Sequence, residues 1–309
     1  MALHGELHKL TTEGRNPRTQ NIDTLSTEGI VSLIVSEDQK VLEAVQHEVP
    51  RIVEAADLLA EVLRAGGRIL YMGSGTSGRL GVLDAAELLP TFGVGDDQVK
   101  ALIAGGTTAM FVPVEQAEDD YEGGLRDFLA EGLTEKDALV GISASGRTPY
   151  VLAALKRAKE MGMVTIGITC NGNSEFAQIA DVTIAAVVGP EVVTGSTRMK
   201  AGTAQKIILN TLSTTIMIKI GKVYQNLMVD MLPTNAKLVS RAENMVREVT
   251  GASLEEARQA LEESSYNIKA AIVMLSRSCD LQAAQALLAK GEGVVARALQ
   301  ISWTEDAEN

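Results

Sequence analysis

The stretch I-L-Y-M-G-S-G-T-S-G-R-L-G-V-L-D-A-A-E, from Ile69 to Glu87, constrains this chain more than any other. Its apolar start reads as a strand, Gly73 to Gly78 as a glycine-serine turn, and the residues from near Arg79 as a helix. Such a turn leaves backbone N–H groups free at a helix N-terminus, where the helix dipole favours an anion. Around Gly75, the side chains of Ser74, Thr76 and Ser77 add three hydroxyl donors. Asp84 and Glu87 follow three residues apart, on one helical face. An anion cradle with a carboxylate close by points to chemistry on a small phosphorylated molecule.

The pattern occurs a second time. Ala138 to Ser143 reads as a strand that runs into S-A-S-G-R-T (Ser143 to Thr148), and Pro149 then opens a helix over Tyr150 to Met161. Further short apolar runs fall at Val99–Ala104, Met163–Thr169 and Asp181–Val187, with helical segments between them. A long helix is expected from about Arg198 to Ile220. Nearly continuous apolar strands alternating with helices predict an α/β fold: a parallel sheet in a three-layer α/β/α sandwich. Ligands of such sheets bind beyond the carboxyl ends of the strands, where both Ser/Gly loops lie. Ahead of the sheet, a polar arm to about residue 37 precedes one helix over Asp38–Ala65. Beyond Pro233 only amphipathic helical pieces remain. The domains expected are therefore an arm and helix (1–50), the sheet domain (51–233) and a helical domain (234–309).

Charge narrows the partners. With 28 Lys and Arg against 40 Asp and Glu, the formal charge is -12, which repels nucleic acid and anionic membranes. The N-terminus lacks a secretory pattern and no apolar run approaches a membrane span, so a cytoplasmic protein is expected. Cys170 and Cys279 belong to no metal-type spacing and read as reduced structural thiols. The three histidines (His4, His8, His47) lie near the N-terminus, which disfavours a histidine metal site or a Ser-His-Asp triad. Neither a metal nor a cofactor is expected.

Gly73, Gly75 and Gly78 do satisfy G-x-G-x-x-G, but a dinucleotide site also wants an acid at the end of the second strand. Here that strand ends in Ala104-Gly105-Gly106. A Walker A loop needs Lys and Ser/Thr after its last glycine, and this chain has Arg79-Leu80. A purely structural Gly/Ser turn would explain one such loop comfortably but two in the same sheet poorly. Among the acids, Glu115, Asp119, Asp120 and Glu122 read as a solvated face. Asp84 is open to a structural role, such as pairing with Arg79. Glu87 lies among Ala85, Ala86, Leu88 and Leu89, where burial would raise its pKa toward the range useful in acid/base work.

These loops resemble the sugar isomerase (SIS) domain, a phosphosugar-binding module. More specifically, G-P-E-V-V-T-G-S-T-R-M-K-A-G-T-A-Q-K (Gly189 to Lys206), G-T-S-G-R-L-G-V-L-D-A-A-E and T-E-G-R-N (Thr12 to Asn16) resemble the N-acetylmuramic acid 6-phosphate etherase family. That family is related to the glucokinase regulatory protein, a sugar-phosphate-binding regulator. The likeness runs nearly the whole length and implies a UBA-like helical C-terminus and a homodimer. It implies cleavage of the D-lactyl ether of N-acetylmuramate 6-phosphate, in peptidoglycan recycling. Its two acid/base glutamates map onto Glu87, as proton donor to the leaving group, and Glu118, as its acid/base partner, or the reverse. The phosphate would sit on Ser74, Thr76, Ser77, Ser143, Ser145, Thr148 and loop amides. Ser196 and Lys200 would complete the pocket and Glu191 would touch the sugar, although Lys200 equally fits an ordinary helix-end cation. Where relatives are expected to read E-G-A-E-D, this chain has Gln116 in place of the glycine. A phosphosugar isomerase and a non-catalytic sugar-phosphate regulator remain the alternatives.

Overall fold

The computed structural model describes residues 11–302, so His4, His8 and the start of the arm lie outside it. The chain divides into two compact units. One takes in residues up to Ala86 together with Asp96–Thr214; the other takes in Glu87–Gly95 and the chain from Thr215 onward.

The first unit is built on five parallel strands: β1 (Ile69–Gly73), β2 (Val99–Ile103), β3 (Ala138–Ile142), β4 (Val164–Thr169) and β5 (Val182–Ala185). Their order in the sheet is β2-β1-β3-β4-β5, all pairs parallel. β1 and β3 are buried along their whole length, as strands covered on both faces must be. The chain leaves β1 for β2 on one side and returns to β3 on the other. That reversal makes the β1/β3 tip a topological switch point, where open α/β sheets form their ligand crevice.

The sequence predicts a single helix over Asp38–Ala65. The chain instead forms α1 (Thr27–His47) and α2 (Val49–Arg64), with the break at Glu48. Pro50 occupies the first turn of α2, where its missing N–H breaks no helical bond. The earlier start of α1 comes from Ser26, whose hydroxyl accepts from the Gly29 N–H at 3.2 Å. The remaining helices of this unit are α3 (Gly75–Phe92), whose last turn passes to the second unit, α4 (Tyr121–Ala130), α5 (Pro149–Glu160), α6 (Phe176–Ile179) and α7 (Lys200–Lys219), which crosses the boundary near its C-terminal end. Phe128, Leu139, Val151, Leu155 and Phe176 pack one side of the sheet. Pro90 falls in the last turn of α3, before Gly93 takes a left-handed φ of 66°.

The second unit is all helical. α8 (Ala236–Thr250), α9 (Leu254–Glu263), α10 (Ile268–Arg277), α11 (Leu281–Lys290) and α12 (Val295–Gln300) surround a core that includes Val246, Leu261, Ile272 and Leu287. Val229 and Met231 pack into the same core, which is why this unit begins near Thr215 and not at the composition change after Pro233. Among the described residues no helix is long and apolar enough to cross a membrane.

Candidate functional site

The turn after β1 is tighter than the sequence suggests. α3 starts at Gly75, leaving Ser74 as the only connecting residue, and the Gly78 N–H already donates to the Ser74 carbonyl at 3.0 Å. Two glycines permit this approach. A Cβ on Gly73 would lie 2.7 Å from the Gly78 nitrogen, and one on Gly78 would lie 2.8 Å from the Gly73 carbonyl oxygen. The amides of Gly75, Thr76 and Ser77, having no preceding turn to bond, face the strand tip as donors.

The second loop starts beside the first. Gly73 and Ile142 are register partners, so Ser74 and Ser143 leave adjacent strands at the same level. Ser143 Oγ lies 2.7 Å from Thr148 Oγ1 and 3.2 Å from Ser145 Oγ, and it accepts from the Gly146 N–H at 3.1 Å. Three hydroxyls and an amide are thus gathered within one turn. Each hydroxyl can rotate its proton toward an incoming oxygen, and hydrogen bonds to an anion are roughly twice as strong as neutral ones.

Glu118 is brought to the same place. It sits in a short turn (Ala117–Asp119) ahead of α4, exposed, with a carboxylate oxygen 3.5 Å from Ser74 Oγ. Ser74, Gly75, Arg79, Gln116 and Glu118 line a 240 Å³ cavity beside the tip of β2. A neighbouring cavity of 870 Å³ runs past Gly105, Asp119 and Tyr150.

Other expected site residues are placed elsewhere. Glu87 is exposed and not buried, and lies twelve residues along α3 from Gly75, about 18 Å of helix rise. A single chain therefore does not bring Glu87 to the Ser74–Glu118 end of the helix. Thr76 is half-buried beside Gly202 at the start of α7. Ser77 is buried and donates to Gln205 Oε1 at 2.8 Å, in α7. Lys200 is fully buried with its ammonium 2.8 Å from Glu37, also fully buried. It is neither a helix-end cation in solvent nor a group open to a ligand. Glu191, likewise buried, accepts the Lys200 and Ala201 N–H groups at 3.0 and 2.9 Å and so caps α7. Burial pushes the Glu191 pKa up, against the lowering by those two amides and by Lys200. Ser196 stays half-buried in the loop that Glu191 anchors.

Asp84 does not pair with Arg79. It is buried between α3 and α7, where it accepts from Asn210 Nδ2 at 2.7 Å and from Ser213 Oγ at 3.1 Å. Burial raises its pKa, opposed by those hydrogen bonds and by one from Tyr71. Cys170 and Cys279 are both free; burial and the charge of Glu191 push the Cys170 thiol up to about 12, far from a nucleophile's range.

Sequence reading missed the frame behind the loops. Asn171 accepts from the Thr11 N–H at 2.9 Å and donates to the Ala144 carbonyl at 2.8 Å, fastening the N-terminal arm to the second Ser loop. Asn16 donates to Glu37 and to the Pro190 carbonyl, and the Thr19 hydroxyl donates to Val192 O. Glu37 carried a signal: it occupies the buried stripe of α1 with Val41, Ala44 and Val45.

Comparison with known proteins adds the following. Residues 51–159 match the family described as "Glucokinase regulatory protein N-terminal SIS domain", and residues 112–214 match "SIS domain". A protein named N-acetylmuramic acid 6-phosphate etherase from Clostridium beijerinckii is 50% identical over 95% of this chain and 97% of its own length. Proteins of the same name from Pasteurella multocida and Pectobacterium atrosepticum are 51% and 52% identical, each over 96% of this chain and 98% and 99% of their own lengths. Among solved structures, a phosphoheptose isomerase from Francisella tularensis shares the fold, with a TM-score of 0.50 and 21% identity over 63% of this chain and 99% of that one.

Proposed function

The chain belongs to the N-acetylmuramic acid 6-phosphate etherase family, and from that premise we propose that it splits N-acetylmuramate 6-phosphate with water. The products are N-acetylglucosamine 6-phosphate and D-lactate. What carries the proposal is identity of about half of all residues along nearly the full length of proteins bearing that name. The geometry supports it: two hydroxyl loops at adjacent strand tips suit a phosphate, with a carboxylate one cavity away.

An ether is inert unless a neighbouring carbon can carry negative charge. Opening the sugar ring exposes an aldehyde at C1 and acidifies the proton on C2. One glutamate removes that proton, and lactate leaves from C3 as the other glutamate protonates the ether oxygen. Water then adds to the double bond with the roles reversed. Each such transfer contributes about 10² to 10⁴ in rate. Glu118 stands ready beside Ser74, and Ser143, Ser145 and Thr148 hold the 6-phosphate. Ser74, Gly75 and Thr76 flank it. Ser77, Glu191 and Lys200 shape the loops from behind, and Ser196 borders them.

In this proposal the protein is cytoplasmic, serves peptidoglycan recycling and acts as a homodimer in which the partner's copy of Glu87 completes the pair. α1 supports a dimer: Val31, Val35 and Leu42, spaced to share one face, are 54%, 62% and 65% exposed. The match to a glucokinase regulatory protein domain keeps a second reading, a sugar-phosphate regulator without turnover. Incubation with N-acetylmuramate 6-phosphate in D₂O separates them. The etherase releases D-lactate and leaves deuterium on C2 of the product; a regulator or an isomerase releases no lactate.

A further inference from the structure

The substrate just proposed carries two anions, and the hydroxyl loops account for only one. The lactyl group at C3 ends in a carboxylate, which must enter a cavity lined by Glu115 and Glu118 in a protein of formal charge -12. A local cation would hold such a group more strongly than neutral donors do. Lys200 is sealed against Glu37, and Arg126 lines the neighbouring cavity near Asp120 and Asp127.

We propose that Arg79 binds the carboxylate of the lactyl leaving group. This rests on the etherase reading and adds to it a specificity-determining residue. Arg79 is the one cationic residue among the described lining of the 240 Å³ cavity that holds Ser74 and Glu118. Its Nε donates to the Met110 carbonyl at 3.1 Å, which fixes the guanidinium plane and leaves both terminal nitrogens for a ligand. No carboxylate among the described residues lies within ion-pair distance of it. Arg79 also stands one turn from the N-terminus of α3, where the helix dipole disfavours a cation. An anionic ligand would relieve that placement.

Sheet geometry sets the reach. The phosphate loop follows β3, while Arg79 and Glu118 line a cavity at the β2 side of β1. Between one and two inter-strand spacings separate them, roughly 5 to 9.5 Å. A hexose held by its 6-phosphate at one side presents C2, C3 and the C3 substituent toward the other. Planar, two-pronged recognition of a carboxylate is what a guanidinium does best.

The test is binding, measured by calorimetry in a Glu118→Gln background so that nothing turns over. Three ligands are compared: N-acetylmuramate 6-phosphate, its lactamide analogue with the charge removed, and N-acetylglucosamine 6-phosphate, which lacks the lactyl group. Adding Arg79→Gln should weaken the first about 10²-fold and the other two less than about twofold. Arg79→Lys should fall between, since the charge stays and the fork is lost. Retained binding of N-acetylglucosamine 6-phosphate shows that each variant is folded. Equal loss for all three ligands would assign Arg79 to the phosphate or to the fold, and no loss for the first would exclude it; either result overturns the proposal. D-lactate release by the unaltered protein is scored separately, so a failure of the etherase reaction is visible apart from a failure of Arg79.

Discussion

Gln116 shows what one residue can cost beside a site. It holds a left-handed φ of 63° two positions before Glu118, and its side chain borders both cavities. A side chain in that conformation costs about 1 kcal/mol, and a glycine would adopt it freely. The family resemblance implies glycine there, and the structure supplies the backbone reason. Gln116→Gly should raise stability by about 0.5 kcal/mol, because the freer unfolded chain of a glycine offsets part of the relief. A urea midpoint that rises at constant slope would show this, whereas a fall would mean that the glutamine side chain makes contacts worth more than the strain. Residues whose chemistry is local were legible in the sequence. The Ser/Gly loops could be read because hydroxyls, glycines and a strand tip lie within six positions. Asn171 and Asn16 could not, because their partners lie as far as 160 and 174 positions away.

At the scale of elements, the strands and most helices were legible because their apolar periodicity is local, and the break at Glu48 was missed because Pro50 suits a first turn as well as it ends a helix. The tie between α1 and α7 was illegible for another reason: it is one buried ion pair. Burial pushes Glu37 up, but hydrogen bonds from Lys200, Lys40 and Asn16, with the charge of Lys200, outweigh it and hold the carboxyl at about 2. A pKa lowered on folding stabilises at pH values above the unfolded value of 4.5, and that stabilisation fades as the pH falls through 4.5 toward 2. Glu37→Gln leaves the Lys200 ammonium buried without an anion and should cost about 3 kcal/mol at pH 7. The gap between variant and wild type should narrow below pH 4.5, as followed by chemical unfolding at stepped pH. A gap that stays constant down to pH 2 would mean that the lost stability is packing and not charge. Because Glu191 holds the first turn of α7 through the Lys200 and Ala201 amides, loosening Lys200 should also disturb the loop around Ser196.

At the scale of the whole molecule, the role proposed for Glu87 bears on how many chains make one site. Within one chain it is exposed and about 18 Å of helix from the strand tip that Glu118 reaches, too far for two acids to share adjacent carbons of one sugar. If catalysis uses both, the second must come from another copy, and the exposed apolar face of α1 gives such a copy a surface to cover. Complementation tests this directly. Glu87→Gln and Glu118→Gln should each abolish D-lactate release as pure dimers, with phosphosugar binding retained. In a mixed dimer of the two variants, one site receives both glutamines and the other receives both glutamates. Mixing the variants and allowing subunits to exchange should therefore restore about a quarter of wild-type activity, since half of the dimers are mixed and each carries one intact site. Val35→Glu with Leu42→Glu, aimed at the covered face, should yield monomers on sedimentation and prevent the restoration. If mixing restores nothing while exchange is shown to occur, both acids act within one chain or Glu87 takes no part, and site assembly by two copies is wrong.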